Sequence, residues 1–186
     1  MTNGLNQKCV LSQQKNGGDL VAIKWKTTIN KFPEMQKNIE TLNGKKIQVG
    51  VIEGENQWLA GIHEYGCDIK VTPKMRAFLH ANGLHLSPNT KEIHIPERSF
   101  LRAGHDKYSD EVLKKVEMMI GQVLSGKMSE QMFLDTAGRL LATKIKTYAR
   151  DVSTPPNHPY TVDKKGSSNP LVDTGNMIEG ITWRVE

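Results

Sequence analysis

The chain has 186 residues, of which 37% are hydrophobic and 24% charged, with a formal net charge of +5. That length predicts one domain able to bury a core without a disulfide or metal framework, and the two cysteines, Cys9 and Cys67, do not build one. The basic residues are dispersed, which argues for a solvated surface over a concentrated nucleic-acid footprint. The N-terminus lacks the apolar core of a signal peptide, and no stretch is long and apolar enough to span a membrane. The expectation is a soluble protein, intracellular when made.

Residues 1–20 are rich in Asn, Gln, Lys and Gly without a period, and read as a flexible or irregular arm. The single domain is expected over 21–186. Val21, Ile23, Trp25, Thr27 and Ile29 alternate with lysines and a threonine, the mark of a strand with one buried face. Pro33 and Glu34 suit a helix start, and Met35, Ile39 and Leu42 form its stripe before Asn43-Gly44. A second alternating strand covers 46–52. Trp58, Leu59 and Ile62 predict a short helical face closed by Gly66, and 67–72 reads as extended. Lys74 to His80 predicts one or two helical turns burying Met75, Phe78 and Leu79, and 92–95 is a strand.

Two long helices follow. The first is expected over 109–124, with Asp106, Asp110 and Glu111 around its first turn and a stripe from Val112 to Leu124. Gly126 breaks it, and Ser129 is placed to cap the second helix, whose apolar face runs from Met132 to Ala149. Residues 151–170 carry four prolines and no period, which predicts a long loop. The last strand is 180–186. The fold class is therefore α+β: a small, largely antiparallel sheet of about four strands packed against two long amphipathic helices plus short ones.

No catalytic signature emerges. His63-Glu64 begins a metalloprotease-like pattern, but Cys67 stands where the second histidine belongs. His63, Cys67, His80, His85 and His94 are spaced unlike ligand doublets, so no metal, cofactor or catalytic residue is assigned. Residues singled out for interaction are Arg98, Phe100 and Arg102, and, in the 151–170 loop, Tyr160, Lys164 and Lys165. Phe100 reads as a core anchor, while Arg98 and Arg102, four apart, read as one projecting face for an acidic partner or neighbouring subunit.

Three stretches, in order, are IHEYG (62–66), IPERSFLR (95–102) and NPLVDTGNMIEGITWRV (169–185). Together they resemble the virion-morphogenesis proteins of tailed bacteriophages, the tail-completion and head–tail joining (neck) proteins, over residues 45–186. The resemblance implies a structural protein of the virion, made in the host bacterial cytoplasm. It implies a homo-oligomeric ring, such as a hexamer, or a monomer until assembly. Its partners would be tail tube and head connector, with DNA passing through the lumen and no membrane. Asn176 departs from the basic or hydrophobic residue usual after the last motif's glycine. Two other readings stay open: a small metal-dependent hydrolase using His63, Glu64 and Cys67, and a basic nucleic-acid-binding module.

Overall fold

A computed structural model describes residues 30–186, so the strand expected over 21–29 and the arm before it lie outside the described residues. The fold is α+β, with seven helices and four strands among the described residues. Helix α1 (Phe32–Leu42) leads into strand β1 (Ile47–Val51), then α2 (Asn56–Tyr65), β2 (Cys67–Lys70), α3 (Pro73–Ala81) and β3 (Glu92–Ile95). Helices α4 (Leu101–Leu124) and α5 (Glu130–Asp151) come next, then α6 (Pro159–Lys165), α7 (Asn176–Glu179) and β4 (Ile181–Val185).

The strands form two separate antiparallel pairs. In the first, β1 and β4 align Ile47 with Val185 and Val51 with Ile181. Ile47, Val49, Val51, Ile181, Trp183 and Val185 share one face, turned toward α5, while Gln48, Thr182 and Arg184 are exposed. In the second, β2 pairs with β3, setting Cys67 opposite Ile95 and Lys70 opposite Glu92.

The two long helices make an antiparallel hairpin. Ser129 caps α5 by accepting from the Met132 amide at 3.2 Å, as its position predicted. Gly126, at φ 71°, supplies the left-handed turn that lets the chain reverse. The apolar stripe of α5 is a central layer of the core: Ala142, Ile145 and Ala149 pack with Phe100, Ile178 and Ile181, and Phe133 and Leu134 with Val123. Gly138 lies against the sheet, where a Cβ would sit 2.4 Å from a Trp183 ring carbon. We therefore expect Gly138→Ala to push α5 off the sheet and cost about 1–3 kcal/mol, read from urea unfolding.

Several helices bury less than their periodicity suggests. On α1, Ile39 is exposed and Asn38 donates to the Val123 carbonyl at 3.0 Å. Trp58 is 74% exposed, because α2 turns Ala60 and Glu64 inward instead. Helix α3 buries none of its residues fully, and Phe78 is 64% exposed. The reason is placement: β2 pairs with β3, and α3 makes only sparse contact with any other element, so it has little to pack against. The 151–170 segment is not the structureless loop its prolines suggested, since α6 occupies 159–165, opened by Pro159 and closed by Gly166.

A candidate interaction site built on Glu64

Helix α4 starts eight residues before the expected Ser109, and its N-cap, Phe100, has no side chain able to cap it. The cap comes from α2. Glu64, 2% exposed, points its carboxylate at the first turn of α4. Oε2 accepts from the amides of Phe100 and Leu101, each at 2.8 Å, and Oε1 from the Arg102 amide at 3.1 Å. Oε1 also accepts from the Ser99 hydroxyl at 2.8 Å and from Arg102 Nε at 2.9 Å. The three amides have no intrahelical partner, and an anion is favoured where the helix dipole is positive. Burial alone pushes the Glu64 carboxyl upward. The bonds from Leu101, Arg102 and Ser99 outweigh that and hold it below the ordinary glutamate value.

Asp110 and Glu111 consequently sit within α4 rather than at its start. Glu111 bridges the two long helices instead, with Lys115 at 2.9 Å and Lys144 of α5 at 2.7 Å. The local acidic cluster mimicked a helix start. The true start is set from a residue far away in sequence.

Arg98 and Arg102 do not project together, because Arg98 precedes the helix and the two side chains diverge. Arg98 is buried; its amide donates to the His63 carbonyl at 2.7 Å, and its guanidinium reaches the carbonyls of Pro155 and Pro156 at 2.7 and 3.0 Å. Arg102 lies half-exposed at the rim, paired with Glu64, with Glu97 at 2.6 Å, and stacked 4.8 Å from the Tyr65 ring. Phe100 is fully buried in the main core, as its apolar character suggested.

Of the residues singled out in the 151–170 segment, Lys165 turns inward and donates to the carbonyls of Asn169 and Pro170 at 3.4 and 3.3 Å. Tyr160 and Lys164 stay at the surface, the ammonium 5.7 Å from the ring. Arg98 thus holds the 151–170 segment near its start, at Pro155 and Pro156, and Lys165 holds its end. We expect Arg98→Ala to leave two carbonyls unpaired, cost about 2–3 kcal/mol, and open residues 152–158 to limited proteolysis.

His63 faces a cavity of about 80 Å³ beside Lys165, Asp173 and Thr174. Burial, then the charges of Arg98 and Lys165, push its pKa down to about 4, so the ring is neutral at pH 7. Its Nδ1 has no hydrogen-bond partner among the described residues. Cys67 is a free thiol, and among the described residues no cluster of His, Cys, Asp and Glu is arranged to hold a metal. Gly66 ends α2 at φ 74° and ψ 169°, where a Cβ would lie 2.9 Å from the Ile95 carbonyl oxygen. Only glycine suits that conformation and approach.

IHEYG, IPERSFLR and the start of NPLVDTG therefore converge: Glu64 ties the first to the second, and His63 shares its cavity with Pro170, Leu171 and Asp173 of the third. The role of Glu64 had no local signal in the sequence, since its partners lie 35 to 38 residues away. Comparison with family models, curated proteins and solved structures found no match for this chain.

Proposed function

We propose that this chain is a structural assembly protein of a tailed-phage virion, acting at the head–tail junction by binding and ring formation rather than by catalysis. The observation that carries the reading is where the polar and apolar groups are spent. The polar groups of the motifs hold elements together: the Glu64 oxygens are occupied by five donors, and Arg98 by backbone carbonyls. Large apolar side chains meanwhile stand at the surface, with Trp58 at 74%, Tyr65 at 68% and Phe78 at 64% exposure. A sparsely anchored lobe made of β2, α3 and β3 suits contact with a neighbouring subunit, which would cover Phe78.

On this reading identical subunits associate head-to-tail into a closed ring, a hexamer by the motif resemblance, between tail tube and head connector. The basic net charge suits a lumen that passes DNA. The test is the mass of the purified chain by light scattering across protein concentrations. The expected result is a discrete closed oligomer near six copies that Phe78→Asp disperses. A strict monomer that carries a stoichiometric metal ion would overturn the reading in favour of the hydrolase.

A further inference from the structure

The two cations that fasten the 151–170 segment stand beside one histidine. Arg98 holds the carbonyls of Pro155 and Pro156 at 2.7 and 3.0 Å. Lys165, in the last turn of α6, holds those of Asn169 and Pro170 at 3.4 and 3.3 Å. His63 adjoins both. Its carbonyl accepts from the Arg98 amide at 2.7 Å, and its ring lines the same cavity as Lys165.

The acids nearby offer the ring little relief. Asp173 lines the cavity from the closing segment but is exposed to water. Glu64, the next residue on α2, turns its carboxylate to α4. Of the elements packed on α2, β1 has no charged residue, and Glu179 of α7 is held by Lys146 and Arg150.

We propose that His63 is an acid-operated latch: when its ring gains a proton, α6 detaches from the body of the protein while the core of α4 and α5 stays folded. A proton on the ring brings a third positive charge into a site that water screens poorly. Arg98 cannot withdraw, because its guanidinium is buried and its backbone is bonded to His63 itself. Lys165 can. Its two bonds are long, its stem is flexible, and α6 is exposed at Asp163 and Lys164. Once untied, a helix of seven residues has too few internal bonds to persist by itself.

The direction follows from the ring's resting state. Burial, Arg98 and Lys165 hold His63 at about 4 in the closed form, against 6.5 for a free ring, so the released form binds the proton first. Release therefore gains as pH falls below 6.5, by as much as ~80-fold between about pH 8 and about pH 4.5.

The experiment is amide hydrogen exchange on the full chain across that pH range, corrected for intrinsic rates and repeated in low urea. It is read at Val162 and Gly166, whose amides bond to the His158 and Val162 carbonyls, and at Ala142 in the core. The expected result is that Val162 and Gly166 are less protected than Ala142, through an opening that urea leaves unchanged. Their protection should fall at least about 10-fold toward the acid end and stay flat in His63→Gln. Exchange of α6 with the same protection and urea dependence as Ala142 would overturn the proposal, since α6 would then open only with the whole domain. A pH dependence that survives His63→Gln would assign another group and overturn it too. Lys165→Gln gives a second reading, on the His63 ring by nuclear magnetic resonance. Removing that charge should raise the ring's titration midpoint, and an unmoved midpoint counts against the latch.

Discussion

Glu64→Ala is expected to cost about 3–5 kcal/mol, enough to unfold much of a marginally stable domain at room temperature. The substitution leaves the amides of Phe100, Leu101 and Arg102 without acceptors beneath a fully buried Phe100 ring. It also leaves Arg102 with Glu97 as its remaining carboxylate partner. Glu64→Gln keeps the shape and one acceptor oxygen but loses the charge, so its loss is expected to be smaller. Urea unfolding of both variants, followed by circular dichroism, checks the order. Equal stability of Glu64→Ala and the native chain would show that α4 does not depend on this cap.

The same network fixes the direction of the pH dependence. The Glu64 carboxyl is depressed in the folded state, so its contribution is complete above the ordinary glutamate value and is lost as pH falls through the lower folded value. His63 acts in the same sense. Its folded pKa is about 4 against 6.5 for an exposed ring, so below pH 6.5 the unfolded chain binds a proton that the folded chain refuses until about pH 4. Stability is expected to decline from about pH 6.5 downward and more steeply below about pH 4.5. In Glu64→Gln the steeper phase should weaken while the decline from His63 remains.

Phe100→Ala is expected to cost about 3–5 kcal/mol through lost burial and the cavity left behind. Phe100 has 0% exposure and packs with Ala142, Ile145, Ala149, Leu171, Ile178 and Ile181. It is where the first turn of α4, the inner face of α5 and the closing segment meet. Thermal unfolding reads the effect, and Phe100→Leu, which keeps most of the volume, should recover a large share. If the assembly reading holds, Phe78→Asp on α3 should lower the mass to that of a monomer whose unfolding midpoint matches the native chain diluted below assembly, because Phe78 is exposed in the single chain.

Local pattern was enough for much of this architecture. Alternation marked β1, β3 and β4, because a two-faced strand has a period of two residues whatever it packs against. Gly126 and Ser129 announced the turn between the long helices, because positive φ and side-chain capping are properties of one or two residues. Phe100 as an anchor followed from its apolar bulk.

Other features depended on which segments meet in space, and only the tertiary structure decided them. The division into two strand pairs rests on Cys67–Lys70 finding Glu92–Ile95, while β1 finds a strand at the far end of the chain. The start of α4 rests on a carboxylate from α2, so the acids at 106–111 misplaced it by eight residues. Arg98 and Arg102, four apart, suggested a common face, yet one lies before the helix and is drawn inward by the carbonyls of Pro155 and Pro156. Exposure of Trp58 and Phe78 was equally illegible, since periodicity shows that a helix has an apolar side but not whether anything covers it. Sequence determined the period, the turns and the local cap at Ser129; the partners of Glu64 and Arg98 and the exposure of Trp58 were left to long-range packing, which has no local trace.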